Sequence, residues 1–368
     1  MGHLILGLVA ASAGVTLVPG CGTTATSATG KDAGHVPEAE TGPGRDVTVP
    51  TGAQCVLLGG NIDVDASTTW LWGGKAWTQV FPSPAPDPRT EAAAATLNGG
   101  VVVFGGYAVM ANASGSISEN VDETWVWGGT SWTEKSATSA PSARSNPAVA
   151  TLNGKVVLFG GGGLADTWEW DGSTWTEQKP AQSPPGRNGA VAATLNGKVV
   201  LFGGEVGMDE SAAQANDTWE WDGSTWTEQS PATSPPAREY AVAATVGNTV
   251  VLFGGGSGPS GTLQSYLGDT WTWDGTTWTE ATPASSPSPR AMASAGALGG
   301  VMVVAGGQAY MSIADGAVFG SDGGLHGKTI GQIVTYTDTW TWDGTTWTLS
   351  PATGPSGADL SGGAMSCE

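Results

Sequence analysis

Residues 217–228 read Asp-Thr-Trp-Glu-Trp-Asp-Gly-Ser-Thr-Trp-Thr-Glu, and this stretch decides the fold of the 368-residue chain. Its tryptophans follow the pattern Trp-x-Trp-(Asp/Gly)-Gly-x-x-Trp, which occurs six times and accounts for all 18 Trp residues. The six triplets begin at Trp70, Trp125, Trp168, Trp219, Trp271 and Trp340. Such regular recurrence of so large a residue indicates an internal repeat with a repeated structural position.

A second landmark of each unit is a hydrophobic run that ends in Gly-Gly, as at residues 201–204. In the first five units the third Trp lies 27 residues before the residue that precedes the next Gly-Gly, as from Trp175 to Phe202. The distance from Gly-Gly to the next Trp varies, from 7 residues after Gly161 to 33 residues after Gly307. Insertions therefore fall in one connection of the repeat.

The constant part of each unit predicts four short strands. In one unit they are residues 190–194, 198–202, 217–221 and 225–228, and the turns between them contain Asn196-Gly197 and Asp222-Gly223. Alternation in the third segment places both of its Trp residues on one face. Six such units are typical of a β-propeller. We therefore predict an all-β fold, a six-bladed β-propeller with four antiparallel strands per blade.

The order of a hydrophobic run, Gly-Gly, a variable loop and Asp-x-Trp-x-(aromatic)-Asp resembles the kelch repeat. The resemblance covers roughly residues 50–360 and all six units. It implies a kelch-type propeller. Trp stands where kelch repeats usually carry Tyr, at Trp72, Trp127, Trp170, Trp221, Trp273 and Trp342. The substitution keeps an aromatic ring at that position and loses a hydroxyl.

The C-terminus ends part-way through a seventh unit. The twelfth residue after the third Trp is Arg in the first five units but Asp359 after Trp347. Residues 360–367 then take the place of a first strand, whereas the first unit begins with a second strand near Gln54. We predict that the last strand completes the first blade and removes the exposed sheet edges. Alternatively, residues 46–49 supply that strand.

Two cysteines support this closure. The repeat register places Cys55 and Cys367 opposite each other across a hairpin, to within one residue. We predict a disulfide between them, which is typical of an oxidising compartment. The alternative is two free, buried thiols.

The N-terminal segment predicts export. An apolar run, residues 4–18, is short for a membrane-spanning helix and is followed by Cys21. This arrangement resembles a bacterial lipoprotein signal and implies lipidation of Cys21 and a membrane anchor; the alternative is ordinary cleavage nearby. We predict a signal peptide at 1–20, a flexible tether at 21–48 and the propeller at 49–368. The location is then the bacterial cell envelope or the extracellular space.

The charge of the chain excludes one class of ligand. The net charge is −20, with only 13 Lys and Arg residues. Nucleic-acid binding needs a basic surface for phosphates, so we predict no nucleic-acid partner.

The variable connections and the links between units share one face of a propeller, and variable loops on a rigid scaffold commonly carry recognition. The candidate ligand face contains five arginines in repeat register, Arg89, Arg144, Arg187, Arg238 and Arg290. It also contains loop residues Tyr107, Glu119, Asp122, Tyr310, Asp315 and Asp322. The arginines either bind a ligand carboxylate or hold neighbouring carbonyls. The loops either bind a ligand or only solubilise the protein.

Enzymatic signatures are weak. Only His326 lies outside the leader and the tether, so a copper oxidase with paired histidines is disfavoured, and no nucleophile-elbow motif marks a Ser-His-Asp hydrolase. We predict no cofactor and no metal. The predicted function is non-enzymatic binding of an unidentified protein or glycan. The alternatives are a secreted carbohydrate-active enzyme that uses loop carboxylates, and a purely structural envelope protein.

Overall fold

The computed structural model describes residues 52, 54–59, 69–112, 115–207, 212–258, 265–319, 325–352 and 362–368, with backbone alone for 111–112, 115, 311–319 and 325–332. All of them lie in one compact unit, Val47–Glu368. Strands and turns make up these ranges, in which no helix is long and apolar enough to cross a membrane. The predicted signal peptide, Cys21 and the tether lie outside the described residues.

The described residues contain six four-stranded antiparallel sheets, called blades I to VI below, and their strands are given from the innermost outward. Blade I comprises Ala364–Cys367, Cys55–Leu58, Thr69–Trp72 and Trp77–Val80; blade II comprises Ala93–Leu97, Gly100–Phe104, Thr124–Trp127 and Trp132–Lys135. Blade III comprises Ala148–Leu152, Lys155–Phe159, Thr167–Trp170 and Trp175–Gln178; blade IV comprises Val191–Leu195, Lys198–Phe202, Thr218–Trp221 and Trp226–Gln229. Blade V comprises Val242–Val246, Thr249–Phe253, Thr270–Trp273 and Trp278–Ala281; blade VI comprises Ser294–Leu298, Val301–Ala305, Thr339–Trp342 and Trp347–Leu349.

This architecture confirms the predicted all-β propeller with four antiparallel strands per sheet. In blade IV the second strand has the predicted bounds, and the other three begin one residue later than predicted. Each innermost strand contacts the innermost strands of both neighbouring blades. Ala364–Cys367 contacts Ser294–Leu298 on one side and Ala93–Leu97 on the other, so the ring of innermost strands is closed.

The third and second tryptophans of each unit have different environments. The indole N–H of the third Trp donates to a Thr hydroxyl of the preceding blade, as from Trp226 to Thr167 at 2.9 Å. The same bond from Trp77 to Thr339 joins blade I to blade VI. The second Trp is buried and packs on the third ring, as Trp221 does on Trp226. The tryptophans therefore form the core within and between blades.

The two ends of the propeller meet in blade I. Cys55–Leu58 pairs with Ala364–Cys367, and Cys55 stands directly opposite Cys367. Their sulfur atoms form a disulfide, which confirms that prediction. The C-terminal strand therefore occupies the innermost position of blade I. The alternative strand at residues 46–49 lies outside the described residues.

Four of the variable connections form β-hairpins among the described residues. Tyr107–Asn112 pairs with Gly115–Asn120, Glu205–Val206 with Ala213–Gln214, Gly256–Ser257 with Ser265–Tyr266, and Gln308–Phe319 with Leu325–Thr335. Two of them also pair with short strands that precede an innermost strand, Arg89–Thr90 and Arg187–Asn188. We call the surface formed by hairpins 107–120, 205–214, 256–266 and 308–335 the insertion face.

Candidate functional site

The five arginines lie on the insertion side of the propeller but point into its body. Each arginine side chain is at most 2% exposed and is paired with a carboxylate that follows the variable connection of the same unit. The pairs are Arg89–Glu123, Arg144–Asp166, Arg187–Asp217, Arg238–Asp269 and Arg290–Asp338. Each arginine also donates to the carbonyl of the first glycine of Gly-Gly, as Arg187 does to Gly203 at 2.8 Å.

The hydrogen bonds of Arg144 show that its guanidinium group is fully used by contacts within the propeller. Its five N–H groups are occupied by the Ser142 carbonyl and hydroxyl, the Gly160 carbonyl and both carboxylate oxygens of Asp166. The contacts of Arg144 are thus accounted for by packing within the propeller. The charges of the five arginines are neutralised by their carboxylate partners, as expected for groups that stabilise the scaffold.

The acidic partners of the arginines have lowered pKa values. Burial alone would raise the pKa of Asp217, but hydrogen bonds from Arg187 and from the Trp219 indole outweigh it and lower that pKa. The same opposition lowers the pKa of Glu123, Asp166, Asp269 and Asp338. These carboxylates are therefore charged at neutral pH and bound within the blades.

A ring of six residues encircles the mouth of the central channel on the insertion side. The residue two positions after each arginine, together with Gly362 of blade I, adopts a left-handed conformation with φ between 54° and 72°. The six are Glu91, Asn146, Gly189, Tyr240, Met292 and Gly362. Each backbone N–H donates to the carbonyl of the preceding member, and Glu91 donates to Gly362, so the hydrogen bonds form a closed circle. We call these six residues the mouth ring.

Side chains of the mouth ring border a cavity of about 130 Å³. Glu91 accepts a hydrogen bond from the Asn146 amide at 2.7 Å. The hydroxyl of Tyr240 accepts one from Asn188 at 3.1 Å, and its ring lies so close to Gly189 that a Cβ there would be 2.9 Å from a ring carbon. Tyr240 therefore reaches across one blade boundary at the channel mouth.

Next to the mouth ring lies a buried acid, Glu239, which is 4% exposed. It accepts a hydrogen bond from Gln214, whose amide oxygen in turn accepts from the backbone of Gly258. Burial, and then the charge of Glu205, raise the pKa of Glu239 to about 7, against the opposing effect of Gln214. Burial and the charges of nearby acids also raise the pKa of Tyr240, which stays a neutral phenol.

The predicted loop residues are distributed over two hairpins. Tyr107 and Glu119 lie on hairpin 107–120, and both are exposed; Asp122 follows it and is exposed too. Tyr310 is exposed on hairpin 308–335. The backbone of Asp315 lies in the same hairpin, whereas Asp322 is outside the described residues. The structure thus places four of these side chains on the insertion face or at its edge, and their role in binding stays a prediction.

The mouth ring was not among the residues singled out from sequence. Five of its members lie two positions after the arginines, where the five units all carry different residues, as they also do one position earlier. That local variation is the signal that could have identified them. Among the described residues, no group of three or more His, Cys, Asp and Glu side chains is arranged to hold a metal ion.

The face of the propeller opposite the insertion face is formed by short turns instead of long hairpins. Its Asp-Gly turns satisfy their own polar groups, as Asp222 does by accepting from the backbone N–H groups of Ser224 and Thr225 at 2.8 Å. The same arrangement recurs at Asp171, Asp274 and Asp343. This short turn thus recurs in four of the six blades, so that face varies less from blade to blade than the hairpins of the insertion face do.

Comparison with known families agrees with this architecture. Residues 166–323 match the model of the KLHDC2/KLHL20/DRC7 Kelch-repeats domain. No curated protein matches the chain. Together with the repeated four-stranded sheets, the family match supports a kelch-repeat propeller.

Proposed function

We propose that this chain is an exported propeller that binds a protein partner through its insertion face. The observation that carries the proposal is the contrast between the two faces. The insertion face has four hairpins of different length and sequence, whereas four of the six blades repeat one self-satisfied Asp-Gly turn on the opposite face. Variable elements on a rigid scaffold are suited to recognition.

Exposed apolar and aromatic side chains favour a protein partner. Hairpin 107–120 exposes Tyr107 and Ile117, and hairpin 308–335 exposes Tyr310 and Ile333. Tyr310 is 53% exposed and stands directly opposite Ile333 across its hairpin. Aromatic residues are enriched at protein interfaces, where they contribute large contact areas. The backbone of Tyr310 is hydrogen-bonded to the Tyr266 hydroxyl, which ties hairpin 308–335 to hairpin 256–266.

Export has support from chemistry as well as from the leader sequence. The disulfide between Cys55 and Cys367 fits a compartment outside the reducing cytoplasm. Lipidation of Cys21 and tethering by residues 21–48 are part of the proposal. They would hold the propeller at a membrane surface while leaving the insertion face accessible to a partner.

The proposal is tested by shortening one hairpin without disturbing the blade. Residues 313–330 are replaced by Asn-Gly, which joins the directly paired Ser312 and Gly331 through a two-residue turn. Wild-type and shortened proteins are used to capture partners from an envelope extract, and the captured proteins are quantified by mass spectrometry. We expect proteins enriched by the wild type to be lost with the shortened variant.

Leu349→Ala is the matched control, because Leu349 is 51% exposed but lies on the outermost strand of blade VI. It should retain all captured proteins. Equal capture by the shortened variant would refute binding through the insertion face. A glycan array is run in parallel with an assay for glycan turnover. Specific turnover would replace the proposal by a carbohydrate-active enzyme, and glycan binding without protein capture would replace the protein partner by a glycan.

A further inference from the structure

The mouth ring combines equal backbone conformations with unequal side chains. A left-handed conformation is unfavourable for residues other than Gly, although Asn tolerates it better than most. Gly189 and Gly362 take the two positions without a side chain, but Glu91, Tyr240 and Met292 keep bulky side chains there. A repeated packing role would be served by the same residue in every blade. The differing side chains instead give this sixfold structure one asymmetric region.

The backbone of the mouth ring has no donor available for a ligand anion. All six N–H groups of the ring donate to ring carbonyls. The arginines behind the ring are buried and paired with carboxylates. Recognition at the mouth therefore has to come from the side chains that border the cavity.

Those side chains favour a cation. The cavity is lined by Glu91, Tyr240 and Met292, and the Met292 sulfur already accepts a hydrogen bond from Gln308. Glu91 uses Oε2 to accept from Asn146 and has a second carboxylate oxygen to offer. Tyr240 also lies within the electrostatic influence of Glu239, Glu91 and Glu205. An aromatic ring and a carboxylate are together groups that bind an organic ammonium.

We infer that the channel mouth binds an alkylammonium group, and that its natural source is a lysine side chain of the protein partner. This inference rests on the proposed function for the identity of the source. A cavity of about 130 Å³ can hold the end of one side chain but is too small for a helix or a strand. The hairpins of the insertion face would then contact the surface around that lysine.

The experiment uses blocked lysine, Nα-acetyl-lysine N-methylamide, as the probe in an NMR titration of the full propeller at low salt. We expect saturable binding, and about tenfold weaker binding of the Nε-acetylated probe, because acetylation removes the charge. Glu91→Gln keeps an acceptor for Asn146 but removes the charge, and should weaken binding about fivefold or more. Tyr240→Gly removes the ring and places at this position the residue already found at Gly189 and Gly362, so the protein should still fold.

Two controls separate a defined site from general attraction to an acidic protein. Glu280→Gln removes the same charge from an exposed position on an outermost strand of blade V. It should change probe binding by less than about twofold, because exposed charges are screened by solvent and salt. Tyr240→Phe keeps the ring and should behave likewise. Equal weakening by Glu280→Gln and Glu91→Gln, or unchanged binding by Tyr240→Gly, would overturn the inference.

Further arms identify the source of the ammonium group and keep the two proposals apart. A five-residue peptide with a central lysine should bind more tightly than n-butylammonium; equal affinity would overturn a protein source. The variant with residues 313–330 replaced should still bind the lysine probe, since its mouth ring is intact. Probe binding that depends on Glu91, together with partner capture that ignores the hairpin, would refute only the proposed function. Absence of probe binding alongside hairpin-dependent capture would refute only this inference.

Discussion

Gly296 of blade VI lies directly against the Cys367 sulfur of blade I, and a Cβ at position 296 would clash with it. The corresponding residues of blades II to V are all alanine: Ala95, Ala150, Ala193 and Ala244. Blade VI alone has glycine at this position among these five blades, and it is the blade that packs beside the disulfide. One residue of the repeat has thus been adapted to the closure of the ring.

Gly296→Ala should lower the free energy of unfolding by about 1–3 kcal/mol, as overpacking of a tight interior does. The measurement is denaturant unfolding of the oxidised protein. In a background that carries Cys55→Ala and Cys367→Ala the same substitution should be nearly neutral, because the sulfur is gone. An equal loss in both backgrounds would show that the disulfide is not the reason for glycine.

Removal of the disulfide should destabilise the whole propeller. Cys55 and Cys367 are 312 residues apart in sequence, so the bond constrains nearly the entire chain in the unfolded state. In the chain-entropy model this constraint contributes about 6 kcal/mol. We expect the variant with both cysteines replaced by Ala to unfold at clearly lower denaturant concentration than the oxidised wild type. Coincident unfolding curves would contradict this prediction.

Removal of the negative charge that pairs with a buried arginine should lower the stability of the propeller. Asp217→Asn leaves the buried guanidinium of Arg187 without its counter-charge and should cost about 3–5 kcal/mol. The control is Glu177→Gln, which breaks the exposed pair with Lys179 and should cost less than about 1 kcal/mol. Thermal unfolding of both variants at pH 7 checks the difference, and similar losses would refute a structural role for the arginine.

The raised pKa of Glu239 should make the free energy of unfolding fall as pH rises toward neutrality. The pKa of Glu239 is raised from its ordinary value of 4.5 to about 7 in the folded protein. The folded state therefore binds a proton more tightly than the unfolded state. This contribution is fully present below about pH 4.5 and is lost as pH rises through 7. Its size is on the order of 3 kcal/mol at about 1.4 kcal/mol per pKa unit.

Unfolding measured between pH 4.5 and 7.5 should show this slope in the wild type, superimposed on the titration of other groups. Glu239→Gln keeps the interaction with Gln214 possible and removes the titrating proton, so the slope should become flatter. Glu205→Gln should reduce it in part, because the charge of Glu205 is the second cause of the raised pKa. A wild-type slope that survives in Glu239→Gln would contradict the assignment.

The tryptophan register was sufficient to predict the blades. Its three positions per unit, together with the Gly-Gly landmark, identify the four strands of blade IV to within one residue. The same register predicted the pairing of Cys55 with Cys367, because a closed ring forces the two ends of the chain into one blade. Local spacing determines these features, since β-strands have a fixed period and hairpin turns have fixed lengths.

The channel mouth could not be predicted in the same way. The sequence places Glu91, Asn146, Tyr240 and Met292 at least 52 residues apart along the chain. Only closure of the ring brings their backbones into one circle of hydrogen bonds and their side chains around one cavity. The sequence also does not show whether the arginine side chains point into the propeller or toward a ligand, because a guanidinium group is suited to both roles.

By itself the sequence determined the all-β repeat, the position of every insertion and the residues that close the ring, because these follow from periods and spacings along the chain. The tertiary structure decided that the arginines turn inward to carboxylates and that Tyr240 lies across Gly189 toward a neighbourhood of acids. The physical reason is that burial and electrostatic neighbours depend on distances between blades, and those distances exist only when the propeller is assembled.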